Sequence, residues 1–262
     1  MRTFYLSLPL VLALLMIGCG GGDDPEASSD PVADEEVDET AADTEPAAAP
    51  TATIKGAVKF EGKAPRRRKL DMGAEPFCES HKDENLRDES VVVNDDGTLR
   101  NVFVWIKKGV KGKYPVPSEP VVITQANCQY VPHVIGVRVG QRLIIENTDP
   151  LMHNVHGLGK RNKEFNYAQA RQGMKNEEVF RRPEVMLELK CDVHGWMSAY
   201  LGIVRHPFFA VTGDGGTFEL GKLPPGDYTI QAVHEVYGGK TRNVTVGDNE
   251  TKDITFTFSK QP

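Results

Sequence analysis

The chain has 262 residues, with 31 Lys and Arg against 37 Asp and Glu, a formal charge of −6. Eleven of those acids, and no Lys or Arg, lie between Gly20 and Pro50, and the body from Thr51 onward carries about +4. A body so close to neutral points to no nucleic-acid partner, and its length of about 210 residues suffices for one large or two small domains.

The N-terminus reads MRTFYLSLPLVLALLMIGCG. Arg2, a short apolar run from Leu6 to Ile17 and the small-residue exit at Gly18 make residues 1–19 a secretory signal. The run is too short and too close to the terminus for a membrane span. Its end, Met-Ile-Gly-Cys, resembles a bacterial lipobox, with Met16 in place of the usual Leu. That resemblance implies a lipid on Cys19 and, because Gly20 rather than Asp follows, a periplasmic position anchored to the outer membrane. Residues 20–50 hold Asp, Glu, Ala, Pro, Ser and Thr without an aromatic and cannot bury enough apolar surface to offset the entropy of ordering. They are expected to be a disordered acidic linker.

From Thr51 onward, short β-rich runs follow one another: ATIKGAVKF, SVVVND, NVFVWIKKG, PVVIT, GVRVGQRLIIEN, EVMLELKC, TFELG, DYTIQAVHE, RNVTVG and KDITFTF. Many alternate apolar with polar residues, and Gly, Pro, Asn and Asp separate them. Strong helical periodicity is absent, although Arg161 to Val179 leaves room for a turn of helix. The expected class is all-β, a sandwich or barrel.

Two patterns are interleaved in these strands. VVITQANCQYVPHVIGVRVGQRLIIENTDPLMHNVH resembles the first half of a cupredoxin, with Val137, Gly140, Leu143, Asn147, Asp149 and His153 at matching places and Cys128 as a departure. FFAVTGDGGTFELGKLPPGDYTIQAVHE, with the closing NVTVGDNETKDITFTF, resembles the late strands of a carboxypeptidase regulatory-like (transthyretin-like) sandwich. The early strands of that second family correspond to Gly56-Ala57-Val58 and to Asn101–Lys107. The two resemblances imply a Greek-key cupredoxin domain over 118–205 inserted in a small β-sandwich made of 51–117 plus 206–262. Packing of the two domains in series, side by side, is the alternative.

Four cysteines are present: Cys19, Cys78, Cys128 and Cys191. In an oxidising compartment an unpaired thiol needs a reason to stay reduced, and a metal is one. Cys191 ends an apolar strand, His194 follows three positions later and Met197 three beyond that, while His153 sits at the end of another strand. Two imidazoles, one thiolate and a weak thioether are the ligand set of a blue-copper site. The loop spacing and the Met-His-Asn-Val-His run resemble amicyanin. The resemblance implies one copper ion on His153, Cys191, His194 and Met197, with Asn154 reaching across to the cysteine loop. His156 is expected to be a surface histidine instead, and His206 and His234 have no partner pattern. A haem or thioredoxin-type motif would need a second cysteine on the loop, and a binuclear copper site would too. Cys78 and Cys128 are expected to form a disulfide, the alternative being a zinc-type site with His81 and His133.

These features imply a lipid-anchored one-electron carrier with a mononuclear type 1 copper site and an unidentified redox protein as partner. The alternatives are a copper buffering or delivery protein and a structural β-sandwich lipoprotein. With no acid–base pair, Ser-His-Asp order or phosphate loop, the chain is expected not to be an enzyme, and no small-molecule substrate is evident. Partner docking is expected at Trp196, beside His194, with Lys160, Arg161 and Lys163 supplying positive charge at the same end.

Overall fold

The computed structural model describes residues 51–81 and 86–260; the signal, Cys19 and the acidic linker lie outside the described residues. The chain is all-β. Its strands are β1 (Ala52–Glu61), β2 (Phe103–Lys108), β3 (Val121–Ala126), β4 (Gln129–Val131), β5 (Val134–Arg138), β6 (Arg142–Asn147), β7 (His153–Leu158) and β8 (Phe165–Gln169). They continue with β9 (Lys175–Val179), β10 (Glu184–Lys190), β11 (Ser198–Val204), β12 (Phe209–Val211), β13 (Thr217–Leu223), β14 (Gly226–His234), β15 (Gly238–Val246) and β16 (Thr251–Ser259). Among the described residues one short helix, α1 (Pro76–Ser80), precedes β2. The stretch 161–179, expected to allow a helical turn, is instead occupied by β8 and β9.

The strands form four sheets, ordered β13-β1-β16, β12-β2-β14-β15, β5-β11-β10-β7-β8 and β4-β3-β6-β9. The first two sheets combine strands from both ends of the described chain and enclose one apolar cluster that includes Ile54, Val58, Ile230 and Phe256. The other two contain only β3 to β11 and enclose a second cluster around Ile123, Leu143, Val155, Leu189 and Leu201; the first pair is the outer sandwich and the second pair the inner one. Alternation sets each inward face: in β14, Tyr228, Ile230, Ala232 and His234 are buried while their neighbours are less so. At Gly56, paired in parallel with Ile254, an added Cβ would stand 1.7 Å from the Ile254 carbonyl oxygen, so only glycine allows β1 and β16 to pair there.

The segment between β1 and β2 does not stay with the sandwich formed by those strands. Met72 and Cys78 are buried in the second cluster, and Leu70, Phe77 and Leu86 pack against it. By packing, this strap belongs with β3–β11, although it precedes residue 117. Proline opens α1, and the Glu75 carboxylate accepts from the Phe77 N–H at 3.4 Å, a local cap that the strand patterning of the sequence does not reveal.

Two buried histidines, His133 between β4 and β5 and His234 at the end of β14, show what burial demands of polar groups. His133 bridges the Ser198 carbonyl and the Glu235 carboxylate. His234 is 1% exposed, and its Nδ1 accepts from the Val236 N–H at 3.1 Å. Burial, followed by the nearby His133, pushes the His234 imidazole from 6.5 down to about 4. Because the folded value lies below the unfolded one, the neutral ring favours folding above pH 6.5, and this contribution is lost as pH falls toward 4. The full loss is about 3 kcal/mol. Urea midpoints taken from pH 7 to pH 4 should fall less steeply in His234→Leu than in the parent; identical slopes would mean that the ring titrates alike in both states.

Candidate metal centre

β7 and the loop after β10 converge at one end of the inner sandwich. His153 opens β7, Cys191 follows β10, and β7 pairs antiparallel with β10, which brings the start of one beside the end of the other. The loop closes on itself: the Cys191 N–H donates to the Met197 carbonyl at 3.2 Å, and the Met197 N–H donates to the His194 carbonyl at 2.9 Å. His153, Cys191 and His194 then present ligand atoms within 4.8 Å of one another. The two Nδ1 atoms are 3.0 Å apart, and Cys191 Sγ is 3.7 Å from His194 Nδ1. Met197 is buried in the same cluster as Cys191. The four side chains belong to residues 0%, 2%, 3% and 2% exposed in the order His153, Cys191, His194, Met197.

The thiol is prepared for ligation. Burial opposes its ionisation, but His153 and the N–H groups of Asn154, His194 and Val193 outweigh burial and hold the Cys191 thiol below its ordinary value. The Asn154 and His194 amides both donate to Sγ at 3.4 Å. Asn154 also spans the gap with its side chain, its Oδ1 accepting from the Asp192 N–H at 3.0 Å. Tyr130 ties the same two elements, its hydroxyl lying 3.1 Å from the Asn154 carbonyl and 3.2 Å from that of Lys190.

Asp149 received no role from the sequence, yet it determines how His153 presents itself. Its carboxylate contacts His153 Nε2 at 2.8 Å and accepts from the Asn127 and Cys128 amides, each at 2.8 Å. Burial alone would push the carboxyl up, but the bonds from His153 and the two amides hold it below the usual carboxylate range. A carboxylate only accepts, so Nε2 carries a proton and Nδ1 is the ring nitrogen turned toward Cys191 and His194. The signal lay in Asn147-Thr-Asp: Asn147 Oδ1 accepts from the Asp149 N–H at 2.9 Å and shapes the turn. Asp149→Asn should weaken Cu(II) binding by roughly 10–100-fold. Competition titration against a chelator measures this, and parental affinity would mean that the ring needs no such support.

Cys78 and Cys128 are joined as a disulfide, which removes both sulfurs from ligation and with them the zinc-type alternative. It also removes Cys128 from a second convergence with Asp149 and His153. His156 is not positioned as a ligand, since Nδ1 contacts Asp192 and Nε2 contacts Glu164, both at 2.8 Å.

Trp196 is half-buried at the edge of the second cluster, its ring 5.1 Å from that of His194 and its indole N–H donating to the Cys128 carbonyl at 3.0 Å. The expected basic docking residues need correction. Lys160, Arg161 and Lys163 lie at the wrong end. β7 carries the chain about 17 Å away from His153 before they occur, and β8 then returns it, with Gln169 opposite His153.

No family model matches this chain, and neither does any curated protein. Solved structures similar to parts of it include a copper-containing nitrite reductase from Thermus scotoductus, at 17% identity and TM-score 0.31, covering 38% of this chain and 25% of the other. A purple cupredoxin from Nitrosopumilus maritimus is 21% identical with TM-score 0.28, over 32% of this chain and 98% of the other. An oxidised amicyanin variant is 18% identical with TM-score 0.29, over 32% and 81%. The chain thus spans about a quarter of the nitrite reductase, and scores this low assign no activity. That reductase is nonetheless an enzyme, and the expectation that this chain is not one is withdrawn on that finding.

Proposed function

We propose that His153 Nδ1, His194 Nδ1 and Cys191 Sγ would hold one copper ion, with Met197 supplying a weak thioether donor, and that the chain carries single electrons between protein partners. The carrying observation is the convergence, within 4.8 Å, of two imidazoles with the only free thiol among the described residues. When bound, copper in such a donor set supplies a one-electron couple. The protein's own part is to fix the donors before the ion arrives: Asp149 orients His153, backbone amides hold the sulfur, and the closed loop sets His194 and Met197. One electron would enter from a reduced redox protein and leave to an oxidised one. Met152 and Val193, sequence neighbours of His153 and of His194, are 47% and 48% exposed and offer an apolar contact for such a partner.

We further propose a lipid on Cys19, a periplasmic position at the outer membrane, and that the sandwich built from β1, β2 and β12–β16 is a carboxypeptidase regulatory-like domain. Titration of the soluble chain with Cu(II) tests the central claim. One equivalent should bind and produce an intense visible band that ascorbate bleaches and ferricyanide restores. Absence of the band would refute the centre, and escape of the ion on reduction would indicate delivery instead of electron transfer.

A further inference from the structure

A cleft of about 990 Å³ opens between β10 and β11 of the inner sandwich and β2 and β14 of the outer one. Its apolar wall includes Trp105, Val110, Val185, Met186 and Val233. Trp105 is held by its indole N–H on the Gln231 side-chain oxygen at 3.2 Å. Met186 stands at a bulge of β10 with φ 63°, a left-handed conformation that a non-glycine side chain adopts only under constraint.

Five cations line the same cleft: Lys107, Lys108, Lys160, Arg161 and Arg205. None is in a side-chain ion pair among the described residues. Three carboxylates also line it, but two of them are engaged elsewhere. Glu235 pairs with His133, and Glu184 accepts from the backbone amides of Lys160, Arg161 and Asn162 at 2.7, 3.1 and 2.9 Å. Those bonds to Glu184 rigidify the turn and leave the Lys160 and Arg161 side chains exposed. Unpaired cations beside an apolar wall suit a ligand that has both an anionic head and an apolar body.

We propose that this cleft binds a single small amphipathic organic anion, with its apolar body against Trp105, Val185, Met186 and Val233 and its carboxylate or phosphate head among Lys107, Lys108, Lys160 and Arg161. The volume is of the size that small-molecule sites occupy, roughly 300–1,000 Å³, and the excess of cations selects the sign of the head group.

Dodecanoate, kept below its micellar concentration and titrated into the soluble chain, is the probe. Calorimetry should give one molecule per chain, with quenching of tryptophan fluorescence, while dodecyltrimethylammonium at the same concentration gives neither. Lys160→Glu with Arg161→Glu should weaken dodecanoate by roughly tenfold or more with the circular dichroism unchanged; both side chains are exposed. Trp105→Phe should keep the binding heat and lose the quench. The proposal is overturned by absence of heat, by equal binding of the cationic amphiphile, or by charge reversal without effect. It is equally overturned by a quench that survives Trp105→Phe, or by binding seen only with anionic phospholipid vesicles, which would make the cleft a membrane contact.

Discussion

Cys191→Ser should leave the copper-treated protein without its intense visible absorption. That absorption arises from charge transfer between a thiolate and copper, and Cys191 is the only free thiol among the described residues. A hydroxyl at the same place keeps two imidazoles, so some Cu(II) can still bind, but as a harder and weaker set. Affinity should fall by more than the roughly 10–100-fold that loss of an outer partner costs. The fold should persist, because serine is slightly smaller and the Asn154 and His194 amides that donate to Sγ can donate to its oxygen. Visible spectra and chelator competition on parent and variant decide the matter, and an unchanged band would remove Cys191 from the site.

The second large effect is expected from Cys78→Ala with Cys128→Ala. The disulfide closes a loop with a sequence separation of 50, and freeing a loop of that length in the unfolded chain is worth about 4 kcal/mol on the chain-entropy model. For a domain of this size that lowers the melting temperature by roughly 10 °C. Replacing both cysteines avoids leaving a stray thiol in a core where each is 0% exposed. The consequence reaches the metal centre. Met72, Leu70 and Phe77 pack in the cluster that contains Cys191 and Met197, and Trp196 leans on the Cys128 carbonyl. Loosening the strap should speed copper loss to a chelator in stopped-flow measurements, even below the melting transition. A stability change under about 1 kcal/mol would show that the unfolded chain is not constrained as the entropy model requires, and unchanged copper release would show that the strap does not cover the ligands.

The proposed ligand set was legible because most of it is local. Cys191, His194 and Met197 lie on one short loop, and their spacing alone determines that the three side chains share it. His153 was legible because the strand pattern leading to it ends in a polar turn. The strands themselves were legible from alternation, which depends on nearest neighbours in sequence. What only the tertiary structure decided depends on direction and on distant partners. Lys160, Arg161 and Lys163 are close to His153 in sequence but far from it in space, because β7 must run its full length before the chain can turn back into β8. Trp196 is half-buried because its indole N–H is held on the Cys128 carbonyl, a partner that the loop sequence does not encode. Asp149 became the partner of His153 only through a turn whose carboxylate also caps the Asn127 and Cys128 amides. Likewise the cleft with its five cations exists only where β2 and β14 meet β10 and β11, strands whose separation along the chain leaves no periodic trace. Periodicity and loop spacing report short-range geometry; which end of a strand a turn occupies, and what covers it, follows from how the sheets pack.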